Sequence, residues 1–136
     1  MYERFEHTAD LGLRVRAESV ERLFAEAGEA LSATLLADLD SIRPVTERRF
    51  EIDGDDIEYL LVDWLRELLY VFDTEQMLFG QFQAEVRGNG LTAIAQGEAV
   101  DHKRHELQHE IKAITYHGLT VRQTEAGWLA EVIVDI

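Results

Sequence analysis

From Ile57 to Phe72 the apolar residues recur every three or four positions: Ile57, Leu60, Leu61, Trp64, Leu65, Leu68, Leu69 and Phe72. That period places them on one wide stripe of an α-helix, which must be buried. Beyond Gln76 the pattern changes to short β-prone runs broken by turn residues. Met77–Arg87 and Leu91–Val100 flank Gly88-Asn89-Gly90, and Leu119–Gln123 and Trp128–Val134 flank Glu125-Ala126-Gly127. Both pairs read as antiparallel hairpins. A helix that needs cover and hairpins that need one apolar face packed together point to an α+β domain.

The first half of the chain fits that reading. Tyr2–His7 and Leu11–Ala17 read as strands around a turn at Thr8-Ala9-Asp10, with Leu11, Leu13, Val15 and Ala17 on one face and Arg14 and Arg16 on the other. Ser19 offers an N-cap for a helix running to about Leu36, with Val20, Leu23, Phe24, Ala27, Leu31 and Leu35 as its buried stripe. Arg48–Asp53 is a strand, and Asp55 with Glu58 has the spacing of a capping box before the second helix, which is expected to end near Asp73. Ile111–Tyr116 reads as one more strand. The expectation is a single two-layer domain over residues 1–136, a mainly antiparallel or mixed sheet with two amphipathic helices.

Composition narrows the chemistry. The absence of cysteine excludes disulfides, zinc-thiolate sites, iron–sulfur clusters and a cysteine nucleophile. No basic-apolar leader stands at the start and no apolar run approaches a membrane span, so a soluble, cytoplasmic protein is expected. A net charge of -14 argues against direct binding to a nucleic-acid backbone, which relies on Lys and Arg. It favours cations or a basic protein surface as partners, and it also serves solubility.

The familiar catalytic motifs are missing. Gly88-Asn89-Gly90 lacks the following helix of a phosphate loop, and no serine sits in a Gly-x-Ser-x-Gly elbow. His105 and His109 are four apart without the glutamate of a zinc-protease helix, and they read as part of a solvated connection. What stands out is charge at strand ends. Lys112, one of two lysines beside eleven arginines, lies in Ile111–Tyr116, a strand that ends next to His117. A compact ammonium there suggests a point charge rather than a planar fork. Asp135 interrupts the apolar run Val132-Ile133-Val134 and Ile136. A half-buried carboxylate needs a partner. Two readings stay open: Asp135 pairs with Arg or Lys112 while Asp10 caps a turn, or Asp10, Asp135 and the terminal carboxylate of Ile136 hold a hard cation through oxygen alone.

At these residues the chain resembles the archease family. The resemblance rests on His7-Thr8-Ala9-Asp10 with Leu11-Gly12, the Leu23-Phe24 helix, Trp64-Leu65-Arg66-Glu67-Leu68-Leu69-Tyr70, Gly97-Glu98 with Asp101 and His105, Ile111-Lys112-Ala113-Ile114-Thr115-Tyr116-His117, and Val134-Asp135-Ile136. It covers nearly the whole chain. It implies an accessory protein, not itself an enzyme, that serves an RtcB-type RNA ligase in tRNA splicing and RNA repair by promoting guanylylation of the ligase and multiple turnover. It implies that Asp10, Asp135 and Ile136 bind a divalent metal ion, with Ca²⁺ expected in a crystal and Mg²⁺ or Mn²⁺ possible in the cell. It places Lys112 and Asp38 as further functional positions, with His7 and His117 as outer members of the site. The alternatives are a stand-alone metal-dependent phosphoesterase and a chaperone-like modulator of nucleic-acid-processing proteins.

Overall fold

A computed structural model of the chain describes residues 1–7 and 10–136, and of His7 the main chain only. Thr8 and Ala9, where the sequence places a turn, and the His7 side chain lie outside the described residues. The elements run β1 (Tyr2–His7), β2 (Asp10–Ala17), α1 (Val20–Leu35), a 3-10 turn (Leu39–Ser41), β3 (Thr46–Asp53), α2 (Ile57–Glu75), β4 (Met77–Arg87), β5 (Gly90–Ala99), β6 (Ala113–Ile114), β7 (Thr120–Thr124) and β8 (Gly127–Asp135). The α+β class is as expected. No helix among the described residues is long and apolar enough to cross a membrane.

The strands divide between two sheets. One runs β1-β2-β8-β6, with β7 also on β8; the other runs β3-β5-β4. Every ladder among the described residues is antiparallel. Alternation decides which face each sheet buries. Leu13, Val15, Val132 and Val134 from the first sheet and Phe50, Phe79, Ala93 and Ala95 from the second meet α1 and α2 in one core. Arg14, Arg16 and Glu131 lie on the opposite, open face.

Trp64 is the centre of that core. It is fully buried, meets Phe50 and Phe82 edge-on at 5.4 and 6.0 Å, and donates its indole N–H to the Phe24 carbonyl at 2.9 Å. The bond ties α2 to α1 and satisfies the one polar atom of an otherwise apolar ring. Ser32 ties α1 to β4 in the same way, donating to the Phe79 carbonyl at 2.6 Å. Gly97 lies where β4 bulges between Phe79 and Gln81, and any Cβ there would collide with the Leu78 carbonyl.

Three local expectations need correction. The cap of α2 is Asp56, not Asp55. Its carboxylate accepts from the Glu58 and Tyr59 amides at 3.0 and 3.3 Å, while Glu58 turns away to accept from the Val121 amide at 3.2 Å. Two successive acids, Asp55 and Asp56, precede the helix in sequence, and only the second is within reach of the second and third amides. The helix also runs two residues past Asp73, to a left-handed Gln76. Finally, Ile111–Tyr116 is not a full strand: only Ala113–Ile114 joins the ladder, and Lys112 is exposed ahead of it. The residues before β6 are occupied elsewhere. Ala37 donates to Glu106, and Gln108 and His109 donate to the Leu35 and Thr34 carbonyls, so this segment covers the C-terminal end of α1.

Candidate metal centre

The register of the first sheet brings distant acids together. Asp10 begins β2 and Asp135 ends β8, and the two are direct cross-strand partners. On one side of this rung His7 faces Asp10; on the other Ala113 faces Asp135. The Lys112 amide donates to the Asp135 carbonyl at 2.7 Å, which fixes the lysine main chain beside the pair. The pleat puts Asp10 with Gly12 and Arg14, and Asp135 with Ile133 and Glu131, on the face away from the helices. Both acids are half-buried.

Like charges directly opposite across two strands repel, and a cation between them removes that cost. The side chains offer oxygen donors only, which suits a hard cation. Among the described residues no three His, Cys, Asp or Glu side chains gather as a metal site. The pair therefore fits a cation only with further oxygens from main chain or water, and Ile136, next to Asp135, is the adjacent candidate.

The other sequence candidates fall at varied distances from this rung. Asp38 lies just beyond α1, which starts after the far end of β2 and returns along it. A helix of this length matches the length of β2, so Asp38 comes back toward the Asp10 end on the helix side. Its carboxylate caps the 3-10 turn, accepting from the Asp40 amide at 3.0 Å. His117 lies farther down the sheet. Ala113 faces Asp135 and Thr115 bonds to Ile133, so the register carries His117 away from the acids, into an exposed turn. The main chain of His7 is on the rung.

A second polar group stands behind Asp38, in the stretch read from sequence as a solvated connection. His105 is buried, its Nδ1 accepting from the Asp101 amide at 2.9 Å and its Nε2 meeting Glu98 at 3.0 Å. Because Nδ1 accepts, Nε2 carries the proton and donates to Glu98. Glu98 also accepts from the Arg43 amide at 2.8 Å and from Arg104, whose other arm reaches the Ser41 carbonyl at 3.2 Å. Burial opposes ionisation of Glu98, but the bonds from Arg43, Arg104 and His105 together outweigh it and lower its pKa. The network holds the loop that carries Asp38. Glu98, Asp101 and His105 stood in sequence only among the residues that carry the family resemblance, and the solvated reading of His105 is corrected by its burial; Arg43 and Arg104, which complete the network, carried no signal. His109, four residues on, is exposed and takes no part in this network.

The Archease protein family (MTH1598/TM1083) matches residues 2–136. A protein archease from Methanopyrus kandleri is 38% identical over 139 residues, covering 99% of each chain. Another, from Methanosarcina mazei, is 39% identical over 140 residues, covering 99% of this chain and 95% of that one. The solution structure of Methanobacterium thermoautotrophicum protein 1598 superposes with a TM-score of 0.87 at 34% identity, over 99% of this chain and 98% of the other. The crystal structure of a Thermotoga maritima archease, described as a possible chaperone, has a TM-score of 0.68 at 22% identity, over 100% and 98% of the two chains, and shares the fold. By the family match and by these relatives, the chain belongs to the archease family.

Proposed function

We propose that this chain is a metal-dependent accessory protein that activates an RtcB-type RNA ligase, promoting guanylylation of the ligase and its multiple turnover in tRNA splicing and RNA repair. The observation that carries the reading is the Asp10–Asp135 rung, two carboxylates drawn from opposite ends of the chain to one open sheet end, with Lys112 beside them. Asp10, Asp135 and the carboxylate of Ile136 would hold a divalent ion. When bound, that ion would supply positive charge next to phosphate oxygens of the ligase's nucleotide. Lys112, exposed beside Asp135, adds an ammonium that can reach the same phosphates. Asp38 shapes the loop on the helix side of this end. The strongly acidic surface suits a basic, RNA-binding protein as partner.

The test is a time course of ligase guanylylation with metal, with and without this protein. The wild-type chain is expected to accelerate it. Folded Asp10→Ala and Asp135→Ala proteins are expected to lose the acceleration, and full stimulation by either would sink the metal reading. Lys112→Arg separates charge from shape: undiminished stimulation would make the choice of lysine incidental.

A chaperone-like role is the second reading, and the description of the Thermotoga maritima relative as a possible chaperone favours it. Stimulation of unrelated RNA-processing enzymes would support it over dependence on one ligase.

A further inference from the structure

We propose that the end of the first sheet opposite Asp10 and Asp135 binds a small organic phosphate that carries a planar ring, the chemistry of a mononucleotide. A cavity of about 680 Å³ opens there, lined by Arg16, Arg22, Arg122, Trp128 and Leu129 among others. That volume lies within the range of small-molecule sites. Arg16, Leu129 and Arg122 occupy a single rung across β2, β8 and β7, so two guanidiniums flank one apolar side chain. Arg22 reaches in from α1.

The arginines have binding capacity to spare. Arg16 gives one nitrogen to Glu3 at 2.9 Å, and Arg22 stands 3.5 Å from Glu26. The Arg122 side chain is exposed and makes no ion pair or hydrogen bond with any described residue. A guanidinium presents a planar fork that matches phosphate oxygens two at a time. Trp128, one residue along β8 from Leu129, comes to the cavity from the helix side of the sheet; its ring packs partly against the core and is half-buried, which leaves some of it accessible for stacking. In a chain with a net charge of -14, this end sets three arginines against only Glu18 and Glu26 on the cavity wall.

Charge also decides the size of the ligand. A long polyanion would meet the field of the whole acidic protein, whereas a single phosphate needs only the local one. The acidic rung is about 20 Å away along β2, roughly two screening lengths at ordinary salt. The two ends therefore act as separate sites.

The experiment is calorimetric titration of the whole chain with AMP, UMP, ribose 5-phosphate and inorganic phosphate at about 0.1 M salt. Saturable uptake of AMP or UMP is expected, with ribose 5-phosphate and inorganic phosphate weaker by at least about tenfold. Arg122→Ala should weaken AMP by about tenfold or more. Trp128→Leu should bring AMP down to the level of ribose 5-phosphate. If that variant melts early, Trp128→Phe takes its place and should keep the preference for the ring. Asp135→Asn should bind AMP as wild type does, so the outcome stands apart from the metal reading. Absence of saturable binding by either nucleotide, or unchanged affinity in Arg122→Ala, would overturn the proposal. So would an RNA oligomer that binds this site more tightly than AMP.

Discussion

His105 donates its Nε2 proton to Glu98 across 3.0 Å while its Nδ1 accepts the Asp101 amide at 2.9 Å, so both ring nitrogens are spent inside the fold. Glu98 in turn gathers Arg43 and Arg104. This relationship joins the end of β5 to the loop after α1, and it makes stability depend on the charge of one carboxylate.

The pKa of Glu98 is lowered from the model-compound value of 4.5. A carboxylate with a depressed folded-state value contributes stability that is complete above the unfolded value and is lost as pH falls through the folded one. Denaturant midpoints followed from pH 6 downward should therefore decline as pH drops below about 4.5. Glu98→Gln should flatten that limb and lower stability at neutral pH by about 1–3 kcal/mol, since the arginine and histidine donors lose a charged acceptor. An unchanged acid limb would show that other acids control it.

Trp64→Ala should cost about 3–5 kcal/mol, because it empties the centre of the core and leaves the Phe24 carbonyl without its donor. Trp64→Phe should cost less, because most of the ring volume remains. Equilibrium unfolding in urea measures both. Equal losses in the two variants would mean that the hydrogen bond, not the volume, dominates.

Gly127 opens β8 with φ near 137°, and a Cβ there would run into the Ala17 carbonyl and Cα of Glu18. Gly127→Ala should destabilise by at least about 1–3 kcal/mol, with no gain from the reduced freedom of the unfolded chain. Thermal unfolding followed by circular dichroism reads this directly. A neutral result would mean the hairpin can shift to make room.

Divalent ions should raise the melting temperature of the wild-type chain and leave Asp135→Asn unmoved. An ion at about one hundred times its dissociation constant adds about 2.7 kcal/mol to a protein that binds it only when folded. Ca²⁺, Mg²⁺ and Mn²⁺ titrations, each reversed by chelator, would rank the ions. Equal shifts in both proteins would place the ion elsewhere.

Sequence periodicity exposed most of this architecture because the two helices and the hairpin strands each bury one face. The stripe from Ile57 to Phe72 and the alternation from Leu11 to Ala17 are local records of that burial. The division into two sheets was not visible, since strand order depends on contacts between distant segments. Ile111–Tyr116 misled for a physical reason: its β-prone residues bury Ile111 and Ile114, but the main chain just before it, at Glu106, Gln108 and His109, serves the end of α1. No local pattern distinguishes a partner strand from a helix terminus. The pairing of Asp10 with Asp135 was legible only on the condition that the first strands meet the last, and the register meets it. Glu98 and His105 were visible as residues but not as a buried pair, because their cover comes from Arg43 and Arg104.

Strand β8 is hydrogen-bonded to β2 along one edge and to β6 and β7 along the other. On a ribosome, a chain that emerges N-terminus first must hold β1 and β2 without this neighbour until residues 127–135 appear. The sheet of β3, β4 and β5, completed by Ala99, has no such wait. Synthesis thus imposes an order: one sheet can close early against α1, while the other stays open until β8 arrives. The two aspartates first meet when β8 docks, so the acidic rung appears only after the other sheet has had time to close.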